Sequence, residues 1–390
     1  MMFLPTRTAA LDRLAQFVPQ AGRAYASQRN YDRPAHDDVS RLSPYLRHRM
    51  ITEDEVLTSV LAHHSAAAAE KFIQEVYWRT YWKGWLEQRP SVSANYRMGL
   101  NAALNRVQTE AGLCAEWEAA CSGDTGIACF DAWAHELADT GYLHNHARMW
   151  FASIWIFTLR LPWELGADFF LRHLLDGDPA SNTLGWRWVA GVQTVGKTYL
   201  ARPDNIAKYT EGRFQPAGLA TWAAPLDAAP NPDRGQVPVS GVVPSGTFGH
   251  LITEDDLSPG WIFDHVTPTQ TAAFNGTQYR SPLAVATQVD QFVEAAIEDL
   301  SARIAAPLAR PRTPLQIDEW ASQNGLDAIV MSYSPVGGTA DALTQVKTPI
   351  ISLVRPHDAD AWPYASAGFF KFKAKIPKLL ARYDAQMRLL

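Results

Sequence analysis

Residues 174–188 read LLDGDPASNTLGWRW, and the reading of this stretch decides the rest. Asp176 and Asp178 flank a glycine, and Pro179 interrupts the helical pattern there. By themselves the first residues read as an Asx-rich turn, since Asp and Asn hydrogen-bond their own backbone. Two indoles, Trp186 and Trp188, follow within ten residues of Asp178. They belong to a set of 14 tryptophans, eleven of which lie at or before residue 222. Tryptophan is costly to accommodate unless it fills a core, a binding face or an electronic role, so this half of the chain calls for the closest reading.

Working outward, residues 8 to about 214 read as helices. Apolar positions recur at three and four in LDRLAQFV, EVLTSVLAHH, AAEKFIQEVYWRTYWKGWL, FDAWAHELADTGYL and HARMWFASIWIFTL. Pro90, Gly112, Gly141, Pro162 and Pro179 are the expected stops, and Ser43-Pro44 reads as an N-cap with proline in the first turn. Residues 215–246 are rich in Pro, Gly and Ala without a period and read as an irregular connector. Beyond them FGHLIT, DAIVMSY and PIISLVR read as buried strands, alternating with helices around 284–304, 313–324 and 373–388. That alternation predicts a small three-layer α/β unit with a parallel sheet.

Hydrophobic residues make up 47% and charged residues 19% of the 390, which excludes a disordered chain. The net charge of -5 gives no global basic signal for nucleic acid, although a local basic patch would suffice. Cys114, Cys121 and Cys129 carry no C-x-x-C spacing and read as buried, inert thiols in a reducing, cytoplasmic setting. MWFASIWIFTLRLPW is interrupted by Arg160 and Pro162 and is too short to span a bilayer, and no signal peptide is read at the N-terminus.

Three further segments share the weight of 174–188. QRNYDRPAHDDVSRLSPYL places Ser40, Arg41, Leu42 and Ser43 before a helix N-terminus, which combines hydroxyls, a guanidinium and backbone N–H groups suited to a diphosphate. FIQEVYWRTYW sets Glu75, Trp78 and Arg79 on one helix face. TGIACFDAWAHELADTGYLHNHARM carries Asn145, Arg148 and Met149. The plain alternatives for the first two are a helix cap and an exposed ion pair beside a core indole.

In order and approximate spacing, these four segments resemble the FAD-binding domain of the photolyase/cryptochrome family over residues ~20–214. The resemblance implies a mainly α fold: a helical FAD-binding domain over 1–214, the connector over 215–246, and a small α/β domain over 247–390. It implies that the SRLS segment grips the FAD pyrophosphate near Tyr25, with Val39 where family members often carry Thr. Phe72, Glu75, Arg79, Tyr142 and Asn145 are implied around the flavin. Arg148 is expected to pair with Asp176, with Asp178 beside it and Asn182 opposite the flavin N5, where a neutral amide favours the reduced state. Trp186 and Trp163 match the inner and middle members of the family's electron relay, and Trp117 is the candidate for the outer one. Glu75, Trp78, Asn145, Met149 and Trp188 are implied at the lesion, with Glu75 hydrogen-bonding its bases and Trp78 stacking on them. His146 stands where repair enzymes often have Arg.

The C-terminal residues 316–354 and 368–380 resemble, weakly, the closing part of the family's antenna domain, and the reduced sheet leads to an expectation of no antenna chromophore. KFKAKIPKLLAR adds Lys371, Lys373, Lys375 and Lys378, either a solvated basic helix or a nucleic-acid contact. GVQTVGKT, residues 191–198, fits G-x-x-x-x-G-K-[ST], yet no strand is expected before it, and Pro203 follows closely. His144 and His146, two apart, face different sides of a helix, so no metal is expected.

The expectation is therefore a cytoplasmic, monomeric FAD enzyme with no membrane contact. It would repair cyclobutane pyrimidine dimers in single- or double-stranded DNA under blue light, with single-stranded DNA favoured. The alternative is a cryptochrome-like photoreceptor or redox signalling protein without repair.

Overall fold

Trp133, Trp150, Trp155, Phe130 and Phe151 are fully buried together, which accounts for much of the tryptophan content of the first half. They pack the helices Ser91–Thr109, Ala128–Thr140, Asn145–Ser153, Trp163–His173 and Pro179–Val189. The computed structural model describes residues 3–243, 245–264, 266–304 and 307–387, with side chains to residue 383. Residue 388 of the last expected helix lies outside the described residues; the helix there is Ile376–Met387.

Contacts divide the chain into a helical unit (Met1–Met2, Ala24–Val39, Arg89–Asp233) and an α/β unit (Phe3–Arg23, Ser40–Gln88, Arg234–Leu390). In the helical unit the punctuation is read from single residues. Gly141 takes a left-handed φ of 69° at the C-cap of Ala128–Thr140, a conformation that glycine reaches without steric cost. Pro179 sits in the first turn of its helix. Gly112 is a correction: it lies inside the helix Ala111–Ser122, and the break falls at Glu110. The Asn145–Ser153 helix runs into a π-helical turn, Ile154–Thr158, before Arg160 turns the chain at a φ of 57°.

In the α/β unit, β1 (Phe248–Thr253), β2 (Gln270–Phe274), β3 (Leu308–Ala309), β4 (Ala328–Ser332) and β5 (Ile350–Leu353) form a parallel sheet in the order β3-β2-β1-β4-β5. The apolar runs alternate between faces: Leu251, Ile329 and Met331 join one core, Phe248, Ala328 and Val330 the other. Burial on both faces is why these strands read as continuous apolar runs. Gly249 in β1 is required by close approach, since a Cβ there would stand 2.4 Å from the Trp320 ring.

The same unit contains the helices Ser43–Arg47, Glu53–His63 and Glu70–Glu87. Their tie to the sheet is electrostatic. Immediately after β1 come Glu254, Asp255 and Asp256, all buried. Arg47 meets Asp255 at 2.6 Å, and Arg355 forks onto Asp256 at 2.7 and 2.9 Å. Arg49 bonds both Glu53 and Asp358. Burial raises the Asp255 carboxyl, but the guanidinium of Arg47 and the ammonium of Lys83 outweigh it and hold it below the ordinary range. Among the described residues no helix is long and apolar enough to cross a membrane.

Glu87 ends the Glu70–Glu87 helix almost wholly buried, accepting hydrogen bonds from Tyr333 Oη and Val336 N at 2.7 Å each. Burial pushes its pKa from 4.5 up to about 7. The folded protein therefore holds this proton more tightly than the unfolded chain, so stability is present below about pH 4.5 and falls as pH rises toward 7. Glu87→Gln keeps an acceptor without the charge. Thermal unfolding followed from pH 5 to 8 should show a flatter decline for the variant than for the wild type, and parallel curves would refute the assignment.

Candidate functional site

In the helical unit the DGDPASN segment is a cap joined to an ion pair. Asp178 Oδ1 accepts the Ser181 N–H at 2.7 Å and starts the Pro179–Val189 helix. Asp176, buried, receives Arg148 as a fork, Nη1 to Oδ1 at 3.0 Å and Nη2 to Oδ2 at 2.9 Å. Arg148 Nε donates to the Leu143 carbonyl at 2.8 Å, and its guanidinium lies 5.6 Å from the centre of the Tyr142 ring. A buried pair persists only when hydrogen-bonded this fully. Asn182 donates its amide N–H to the Ala167 carbonyl at 2.7 Å, so its oxygen remains an acceptor. Tyr25 is buried. Asn145, Arg148 and Met149 share one helix face by their spacing, Asn145 exposed and the other two half-buried.

The surroundings of His144 and His146 both favour the neutral imidazole. Burial pushes His144 down to about 3 and also lowers His146. His146 Nδ1 bonds the Asn30 carbonyl at 2.9 Å, and its ring stacks on Trp150 at 4.0 Å. An imidazole pinned in this way brings no positive charge to a phosphate.

Trp186 is buried over Gly166, where a Cβ would come within 2.4 Å of its ring. Gly166 lies one turn from Trp163 on the Trp163–His173 helix, so both relay candidates are placed by the same helix. Trp155, which sequence reasoning left out, meets Trp186 at 6.1 Å with rings near perpendicular. Only its spacing in a buried helix could have marked it. Trp163 is half-buried, 5.6 Å from Tyr96, and lines a cleft of about 640 Å³ with Arg160, Glu164 and Arg187. That cleft is lined by none of Arg148, Asp176 or Asn182. Trp117 is half-buried against the same core, its Nε1 without a partner among the described residues, and Trp188 stacks on Tyr199 at 5.5 Å.

The α/β unit carries the other candidates. Ser40 Oγ accepts the Leu42 N–H at 3.3 Å while Arg41 takes a left-handed φ of 53°. A non-glycine residue held there stores strain that clusters at functional sites. The helix that follows begins at Ser43 with Leu42 as its cap, so Ser43 is not the capping side chain expected from its sequence. On the Glu70–Glu87 helix Phe72 is buried against Phe17 at 5.1 Å, and Glu75, Trp78 and Arg79 are half-buried. Arg79 Nη2 reaches the Ser43 carbonyl at 3.5 Å, and its buried Nη1 has no partner among the described residues. Trp78 is stacked face to face with Phe369, centroids 3.5 Å apart and planes at 10°. Nothing in the sequence pattern connected those two rings.

Among the described residues no group of three or more His, Cys, Asp or Glu could hold a metal ion. Cys129 is buried, but Cys114 and Cys121 are only half-buried, a correction to the expected burial. Burial pushes Cys121 and Cys129 up to about 12, so both stay thiols.

Residues 72–230 match the family described as the FAD binding domain of DNA photolyase. Among curated proteins, the deoxyribodipyrimidine photo-lyase of Streptomyces griseus is 36% identical over 165 residues, 42% of this chain and 34% of that protein. That of Escherichia coli is 32% identical over 195 residues, 49% of this chain and 40% of the other. The chain thus matches well under half the length of these relatives. A crystal structure of a bacterial class III photolyase from Agrobacterium tumefaciens aligns with 52% of this chain and 42% of its own, at 29% identity and a TM-score of 0.44. Through residues 72–230, about two fifths of its length, the chain is similar to the FAD binding domain of DNA photolyase.

Proposed function

We propose that this chain holds FAD and uses it to repair cyclobutane pyrimidine dimers in DNA under blue light. The observation that carries the reading is the Arg148–Asp176 fork beside Asn182, whose oxygen stays free to accept, within the region that matches the family's FAD domain. The residues fit the cofactor. Asn182 offers an acceptor suited to a flavin N–H, and Arg79 a buried donor without a partner. In the α/β unit, the strained Ser40–Arg41 turn and Ser43 supply polar groups suited to a diphosphate.

Bound FAD would supply a photoexcited electron donor, which no side chain can provide. The protein's part is to hold, orient and insulate. Arg148 neutralises Asp176 and fixes its geometry. Trp186 and Trp163, with Trp155 beside Trp186, offer closely spaced indoles for moving an electron. In the α/β unit Glu75 would accept hydrogen bonds from lesion bases and Trp78 would stack on them; in the helical unit Asn145, Met149 and Trp188 are the residues proposed to meet the lesion. Neutral His146 removes a phosphate contact. That favours strands in which the lesion is already unpaired, where extrusion costs less. No second chromophore is proposed at the strand ends, where the Arg47–Asp255 and Arg355–Asp256 pairs already spend the charged groups that follow β1.

One observation favours a second reading, a cryptochrome-like photoreceptor. Phe369 already covers a face of Trp78, the indole on which a lesion base would stack.

Two experiments separate these readings. Illuminating the reduced holoprotein with dimer-containing oligonucleotides should restore intact bases, faster on single strands. Glu75→Ala should cut that recovery at least about tenfold while flavin photoreduction persists, a loss of about 1.4 kcal/mol in transition-state stabilisation. Absence of recovery on either strand form would leave the photoreceptor reading. Arg148→Leu strands the Asp176 carboxylate; urea unfolding should show a loss of about 2–3 kcal/mol, below the full cost of breaking a buried pair because Arg148 is partly exposed. The purified variant should also lack visible flavin absorption. A variant that keeps flavin and stability would refute the role given to the fork.

A further inference from the structure

The short helix Phe369–Lys373 sets two adjacent phenylalanines in opposite environments. Phe369 is buried on Trp78, whereas Phe370 is 86% exposed. An aromatic ring held almost wholly in water leaves its face open to stack on an incoming ring. Lysines surround it. Lys371, Lys375 and Lys378 are exposed and, among the described residues, none has a carboxylate partner. Lys378 instead hydrogen-bonds Tyr364 Oη at 2.9 Å, and Lys375 lies 6.0 Å from the same ring. The one lysine in the group that is ion-paired, Lys373, reaches Glu70 at 2.9 Å, at the start of the helix that carries Glu75 and Trp78.

We infer that Phe370 with Lys371, Lys375 and Lys378 is a docking surface for single-stranded DNA, in which Phe370 stacks on an unpaired base and the lysines take the flanking phosphates. This deepens the reading of the chain as a DNA-acting protein and rests on it. The chemistry is that of single-strand recognition: aromatic rings accept any base, and cations follow the backbone. The chain carries a net charge of -5, so an unneutralised trio of lysines around an exposed ring is a local feature and not a consequence of composition. The surface is anchored where it would be useful. The Phe369–Trp78 stack and the Lys373–Glu70 pair fasten it to the helix that bears the proposed lesion-reading residues. It also lies outside residues 72–230, so it is a property of this chain beyond the family's matched domain.

The test uses holoprotein and an undamaged, fluorescein-labelled oligothymidylate, with anisotropy measured across a salt series. Phe370→Ala should weaken binding by about 5- to 100-fold, and Phe370→Trp should restore it. The triple variant Lys371→Ala/Lys375→Ala/Lys378→Ala should reduce the slope of log affinity against log salt by about 2, the value for three single-strand phosphate contacts. Every side chain changed is exposed, so melting temperatures should match the wild type and a folding defect would be visible separately. Affinity and salt slope unchanged in both variants would overturn the proposal, as would binding of anionic lipid vesicles in place of the oligonucleotide. Failure of repair alongside Phe370-dependent binding would refute the repair reading and leave this surface standing.

Discussion

The buried carboxylates that follow β1 are the constraint on which the α/β unit depends. Glu254, Asp255 and Asp256 sit at the C-terminal end of the central strand, where desolvation of three acids would be prohibitive without partners. The partners come from distant parts of the chain: Arg47 from the helix after SRLS, Arg355 from the end of β5, Ser332 and Ser334 from the end of β4. Glu254 is the exception that proves the electrostatics. Burial and the neighbouring Asp255 raise its pKa, and neutral donors, the Thr339 hydroxyl and the Gly276 N–H, bond it. Removing one arginine would leave an uncompensated charge in the interior, a larger cost than the pair's own net gain. Specificity of placement is what such a network supplies. It seats Ser43–Arg47 and, through Glu87, the far end of the Glu70–Glu87 helix on the sheet, so SRLS and the Glu75–Trp78–Arg79 face share a rigid support.

The helical unit solves the same problem with fewer charges and more rings. Its interior is largely aromatic, and its key ion pair, Arg148–Asp176, lies beside the cap formed by Asp178. One residue, Asn182, depends on both features. The Asp178 cap fixes the start of its helix, and the Ala167 carbonyl from the preceding helix fixes the orientation of its amide. The orientation matters more than the position. With one amide N–H held by that carbonyl, the position of the Asn182 oxygen, an acceptor, is set as well.

Much of this architecture was legible because it is local. β1 and β4 are apolar runs buried on both faces, β5 is a shorter, mostly half-buried one, and the helices follow apolar spacing. β2, QTAAF, was missed because alanines flanked by polar residues give no apolar run, and β3 is only two residues long. The Arg148–Asp176 pair was expected from the resemblance, and it forms. The pairing of Arg47 with Asp255 was not legible, since 208 residues separate them and a run such as TEDD reads as a solvated turn when partners are unknown. The Phe369–Trp78 stack escaped for the same reason. Periodicity shows which face of an element is apolar but not which distant ring will meet it.

The string GVQTVGKT shows the converse, a local pattern whose meaning is set by its surroundings. A phosphate-binding loop works because its backbone N–H groups are unspent and converge, between a strand that fixes its start and a helix that follows. Here the string follows the Pro179–Val189 helix, and the chain closes on itself. Val192 and Gln193 both donate to the Arg187 carbonyl at 3.0 Å, Gly196 to Gly191 and Lys197 to Thr194, also at 3.0 Å. Four N–H groups that a phosphate would need are already used in turns. The glycines at 191 and 196 serve those turns, with φ of 78° and 83°, and not a ligand. The same residue types at the same spacing can cradle an anion or close a helix end. Where the hydrogen-bond donors are spent decides between them.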